Sequence, residues 1–167
     1  MRDRQFAWLL WLIVLLAGCA SGSSLERYQP KNPDEAQVVA ALLKIPNGIK
    51  YKSLDLILQP YAEDVYVGNF QKYLGVSGTT APSSLSKAEL RSVYTQVLRS
   101  AKEVEMDVKD FQLTLTGDRA VALAATELLF KVERGRKEAG KEVFRNEVTW
   151  RLRRTPAGWK IVEEIWR

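Results

Sequence analysis

Trp150-Arg151-Leu152-Arg153-Arg154-Thr155-Pro156-Ala157-Gly158-Trp159-Lys160-Ile161-Val162 is the stretch whose reading decides the fold. Trp150 and Leu152 alternate with Arg151 and Arg153, the period-two pattern of a half-buried strand. Thr155-Pro156-Ala157-Gly158 has the chemistry of a tight turn, and Trp159 and Ile161 resume the alternation beyond it. The segment therefore predicts two antiparallel strands. Extended upstream, a strand over Glu142–Arg154 places Phe144, Val148, Trp150 and Leu152 on one face, with Arg145, Glu147, Arg151 and Arg153 on the other. Extended downstream, Ile165 shares a face with Trp159 and Ile161, which leaves Thr149, Val162 and Trp166 on the opposite sheet face.

Two more long strands precede these. Arg119–Arg134 keeps Ala120, Ala122, Ala124, Leu128, Phe130 and Val132 on one side. Val104–Thr116 carries Val104, Met106 and Val108, then Phe111, Leu113 and Leu115, a change of phase near Lys109-Asp110 that a β-bulge would cause. Further upstream the period changes. Asn32-Pro33-Asp34-Glu35 has a cap residue, an early proline and first-turn acids, so it predicts a helix start. Val38, Val39, Ala41, Leu42 and Ile45 continue it, and Pro46-Asn47-Gly48 is read as its end. Ser53–Leu58 reads as a short second helix and Ala62–Gly68 as a short strand. Asn69–Ser84, rich in Gly, Ser, Thr and Pro, reads as a mobile loop. Ser86-Lys87-Ala88-Glu89 matches a capping box and opens a third helix with Leu90, Val93, Tyr94, Val97 and Leu98 on one stripe.

Composition excludes whole classes of chemistry. The 167 residues contain no histidine, so histidine triads, Cys-His pairs and histidine zinc sites are excluded. An enzyme here would work with carboxylates, tyrosines, lysines or arginines. No cofactor and no metal are expected. The net charge of +5 is too small an excess to indicate nucleic acid. Gly135–Gly140 reads as a charged hairpin loop, at which Arg134, Arg136, Lys137 and Lys141 form a solvated basic cluster.

The N-terminus supplies an address. Arg2 and Arg4 precede an apolar run from Phe6 to Ala17, which has the length of a signal peptide and is too short to span a bilayer. It ends in Leu16-Ala17-Gly18-Cys19, which resembles the lipobox of bacterial lipoproteins, and Cys19 is the chain's single cysteine. The resemblance implies that residues 1–18 are removed and that Cys19 carries acyl chains that hold the protein in the membrane. Residues 19–33 then read as a flexible tether. Ala20–Pro33, fully extended at ~3.3 Å per residue, would reach about 45 Å. The implied location is the bacterial cell envelope. With Ala20 rather than aspartate after the cysteine, it is the periplasmic leaflet of the outer membrane if the cell is Gram-negative.

Helix, helix, short strand, helix and four long strands make an α+β pattern, with a strongly curved antiparallel sheet packed on about three helices over residues 34–167. This order, with Tyr61-Ala62-Glu63-Asp64-Val65-Tyr66 and the stretch quoted above, resembles the NTF2-like superfamily and its SnoaL-like and ketosteroid-isomerase-like branches. The resemblance implies a cone whose mouth takes a small apolar ligand, and dimerisation through the outer sheet face, here Thr149, Val162 and Trp166. Candidate ligand-facing residues are Tyr61, Asp64, Tyr94, Glu127, Asn146, Trp150 and Glu163. Asp64 and Glu163 are the candidate catalytic bases. Each has a competing structural reading: a strand-edge acid for Asp64, a satisfied polar group for Glu127, Asn146 and Glu163, and core for Tyr94 and Trp150. Three functions follow: a non-catalytic anchored domain binding an apolar ligand or a protein, a histidine-free isomerase or lyase, and a scaffold subunit of an envelope assembly.

Overall fold

The computed structural model describes residues 23–69, 84–132 and 140–167, with the side chains of residues 132, 140 and 141 left aside. Cys19, the signal segment, most of the loop over Asn69–Ser84 and the basic hairpin cluster lie outside the described residues.

Helix α1 (Pro33–Lys50) starts as its sequence dictates. The Asn32 side chain accepts a hydrogen bond from the Glu35 amide at 2.9 Å, Pro33 takes the first turn where no N–H is needed, and Asp34 and Glu35 face the positive end of the helix dipole. Its end departs from expectation, because the helix runs through Pro46 to Lys50. An internal proline costs roughly 3 kcal/mol. The extra turn offsets that cost by burying Ile49 and by bringing Gly48 against the next helix. A Cβ on Gly48 would stand 2.5 Å from Ile57 Cγ1, so only glycine permits this approach.

Helix α2 (Leu54–Leu58), capped by Ser53, leads into strand β1 (Tyr61–Gly68). A two-residue strand β2 (Ser84–Leu85) pairs with the end of β1. Helix α3 (Lys87–Ser100) opens on the complete capping box, with the Ser86 hydroxyl accepting from the Glu89 amide and the Glu89 carboxylate accepting from the Ser86 amide. Then follow β3 (Glu103–Thr116), β4 (Arg119–Val132), β5 (Gly140–Thr155) and β6 (Gly158–Trp166). The sheet order is β2-β1-β6-β5-β4-β3. The long strands are antiparallel, whereas β1 lies parallel to β6.

The expected bulge in β3 is present. Pairing with β4 shifts register between Lys109 and Gln112, and Asp110 takes φ 51°, a left-handed conformation that aspartate tolerates. Val104, Met106 and Val108 before the bulge and Phe111 after it all face the helices.

The segment read as a free tether is, from Ser23 onward, part of the domain. The Ser24 amide donates to the Val108 carbonyl at 2.8 Å, and the Ser23 and Ser24 hydroxyls donate to the same oxygen at 3.0 Å. The Phe111 amide donates to Ser24 Oγ at 3.0 Å, so this segment caps the open edge of β3 at its bulge. Leu25 is completely buried. Tyr28 packs edge-on against Phe111, and its hydroxyl donates to the Glu35 carboxylate at 3.0 Å.

Candidate functional site

The polar centre of the interior is created by a second bulge, in β6. Leu152 pairs with Ile161 and Arg151 with Glu163, so Val162 is the extra residue and the alternation reverses beyond it. Trp159 and Ile161 point inward, and after the bulge Glu164 and Trp166 do so, while Glu163 and Ile165 turn out.

Glu164 is fully buried and accepts three hydrogen bonds. The Tyr61 hydroxyl donates to Oε2 at 2.6 Å, Trp150 Nε1 to the same oxygen at 2.8 Å, and Trp166 Nε1 to Oε1 at 2.6 Å. Tyr94 is hydrogen-bonded to Tyr61, which extends the chain to helix α3. Since Tyr61 spends its proton on Glu164, its oxygen is left to accept from Tyr94. Burial raises the Glu164 pKa above the ordinary carboxylate range, and the three donors oppose that shift without cancelling it. Burial, reinforced by the neighbouring carboxylate, also pushes the Tyr61 phenol well above its usual value, and Tyr94 follows for the same reasons.

Space around this cluster is scarce. Beside Tyr94 and Trp166 lies an enclosed apolar cavity of about 10 Å³, walled further by Ile49, Leu98, Met106 and Leu128. That is about the room one water needs, and an apolar lining gives a water no partners. Among the described residues no three carboxylate or thiol groups converge as a metal site would require.

The sequence candidates divide between two faces. Tyr61, Tyr94 and Trp150 converge on one acid, which is Glu164 rather than Glu163. Glu163 faces outward and pairs with Arg151 at 2.6 Å. Asp64 is exposed and pairs with Arg153 at 3.4 Å. Glu127 also lies on the outer face, held by Lys109 and Arg145, each at 2.8 Å. None of these three acids enters the cone. Asn146 shares the inner face with its cross-strand partner Thr126, whose hydroxyl donates to the Asn146 carbonyl at 3.3 Å. The Asn146 Nδ2 is buried with no hydrogen-bond partner among the described residues. Of the three residues expected on the outer sheet face, Trp166 is the correction. The Val162 bulge turns it inward, where it is 2% exposed and bonded to Glu164. Glu164 itself was missed, although Glu163-Glu164 carried a signal: in an alternating strand one of two adjacent acids must face the core.

The curved sheet, the three helices and the inner face that they cover define an NTF2-like α+β cone. The chain belongs to the family of SnoaL-like domains, whose model matches residues 64–164. Solved structures share the fold at low identity. A candidate aromatic ring hydroxylase of Novosphingobium aromaticivorans is 18% identical with a TM-score of 0.66, over 83% of this chain and 90% of that one. A Kribbella flavida protein is 12% identical with a TM-score of 0.67, over 80% and 88%. A candidate dehydratase of the NTF2-like family from Streptomyces avermitilis is 18% identical with a TM-score of 0.65, over 80% and 94%. No curated protein matches the chain.

Proposed function

We propose that the chain is a non-catalytic, lipid-anchored member of the family, whose domain binds a protein partner on its surface instead of converting a substrate in its interior. One observation carries this reading: the one fully buried acid among the described residues is held by two indoles and a phenol, beside a cavity of about 10 Å³. Beside that acid, among the described residues, a substrate finds neither a free base nor room, because the cavity of about 10 Å³ falls far short of the roughly 300–1,000 Å³ of small-molecule sites. The surface that fits a partner is the outer face of the sheet. Leu123, Thr149 and Ile165 form one row across β4, β5 and β6, beside exposed Val121 and Tyr66. A second copy of the chain is the first candidate. Acylation of Cys19 supplies the envelope address.

Native mass spectrometry of the mature protein, purified gently from its own host, tests the binding reading. The expected species is a protein complex, a dimer first, with no small molecule attached. A monomer carrying a stoichiometric small molecule would overturn it. Leu123→Arg should weaken the dimer while leaving a monomer that still unfolds cooperatively. Cys19→Ala should release the protein from the membrane fraction.

The isomerase reading retains one supporting observation, the Tyr94–Tyr61–Glu164 chain with its raised carboxyl pKa. It would move the base from Asp64 or Glu163 to Glu164, and it would require the two tryptophans to open. Turnover of an enolisable ketone that Glu164→Gln abolishes would support it.

A further inference from the structure

Resting on the reading that Cys19 is acylated, we propose that the domain lies flush on the membrane. The β3 edge and the C-terminal half of α1 face the lipid headgroups, instead of the domain swinging on a long spacer. The clamp at the β3 bulge carries the argument. Four hydrogen bonds tie Ser23 and Ser24 to Val108 and Phe111, and the complete burial of Leu25 locks them in place. The fixed part of the domain therefore begins at Ser23, four residues after the acylated cysteine. Four steps of extended chain span at most about 14 Å. The headgroup layer is itself roughly 5–7 Å deep on each side of a bilayer. Whatever path residues 20–22 take, the bulge of β3 cannot leave the neighbourhood of the lipid surface.

The opposite edge has no such constraint. The sheet order puts β1 four strand spacings from β3, about 19 Å away. One leash at one edge therefore sets an orientation as well as a height. The surface beside the leash suits that position. Ser23, Glu26, Pro46, Asn47, Lys50 and Glu105 line a polar recess of about 220 Å³. Its acids and lysine, with Asp107 and Lys109 beside them, present both signs of charge, and Lys109 contacts Asp107 at 3.7 Å. A surface of mixed sign complements zwitterionic headgroups, which carry an ammonium and a phosphate, and has no requirement for anionic lipid. The sheet's outer face is left clear at the side, open to a partner standing on the same membrane.

The test uses the full chain, matured in cells, extracted in detergent and reconstituted into zwitterionic phospholipid vesicles with a spin label on the headgroup. The acylated Cys19 thiol is blocked, so a fluorophore goes to one introduced cysteine: Glu105→Cys on β3 or Glu63→Cys on β1, whose native side chain is 91% exposed. Quenching at position 105 should exceed that at 63 several-fold. A flexible Gly/Ser insert of roughly twelve residues after Gly22, with an r.m.s. span of ~20 Å, should abolish the difference while the protein stays on the vesicles. Equal quenching at both positions in the native-length, acylated chain would overturn the orientation and leave the anchor standing. An intact mass without acyl chains, in a protein that stays off the vesicles, would overturn both.

Discussion

The inner and outer faces of the sheet use carboxylates in opposite ways. Inside, Glu164 is surrounded by three neutral donors, each from a different strand. Outside, Glu163, Glu127 and Asp64 each meet an arginine or lysine across the strands, in pairs with at least one well-exposed member. The first arrangement ties β1, β5 and β6 together through bonds that water cannot replace. The second solubilises the sheet through contacts that water and salt compete with. Neighbouring residues of β6 thus belong to different energetic regimes: Glu164 is part of the core's architecture, and Glu163 is a surface charge.

The sharpest way to break that contrast is Glu164→Ala. It strips the acceptor from two buried indoles and a buried phenol and leaves a hole where the carboxylate stood. An orphaned buried donor costs about 1–3 kcal/mol, so a loss on the order of 3–5 kcal/mol is expected, read by chemical denaturation. Trp166→Phe comes next. It removes one donor and part of the packing and should cost about 1–3 kcal/mol. It should also raise the Glu164 pKa further, because one of the donors that hold it down is gone.

Titration separates the two faces in the same experiment. Folded Glu164 titrates above the range it has in the unfolded chain, so between those values the folded state holds the extra proton, and stability falls as pH rises through that window. The surface carboxylates Glu63, Glu89, Glu103 and Glu127 behave in the opposite sense. Hydrogen bonds from Lys87, the Ser86 amide, Lys131 and Lys109 respectively lower their values, so their contribution is lost as pH falls through the acid range. Melting temperature against pH should therefore be a dome. Glu164→Gln should flatten the slope on the high-pH side and leave the acid limb unchanged. An unchanged high-pH slope in that variant would assign the decline to another group.

How far the sequence could be read follows the same division. The β3 bulge was legible because three apolar residues alternate on each side of Lys109-Asp110, so a change of phase is unmistakable. The β6 bulge was not. Beyond Val162 the strand holds only Glu163, Glu164, Ile165 and Trp166, and either phase offers one acid and one apolar residue. That one-residue slip exchanged Glu163 for Glu164 and placed Trp166 outside. Tyr61, Tyr94 and Trp150 could be selected because their positions precede the slip or lie on other elements. Pro46 misled for a different reason: local propensity ends the helix there, and the packing of Ile49 and Gly48 that carries it onward is tertiary. Ser23–Tyr28 has no periodicity, since it docks through two serine hydroxyls, one backbone bond, Leu25 and Tyr28.

The smallest effect is the most diagnostic for the outer face. Glu163→Gln keeps the shape of the side chain and removes its charge from Arg151, which is 61% exposed. An exposed pair of this kind contributes about 0–1 kcal/mol, so the variant should unfold within about 1 kcal/mol of the parent, and less still at high salt. If Glu163 instead were the interior acid, the same substitution would cost as much as removing a buried acceptor and would ignore salt. Placing Glu163→Gln beside Glu164→Gln in one salt series thus measures the register of β6 directly. Only the Val162 bulge makes the second of two adjacent acids the expensive one.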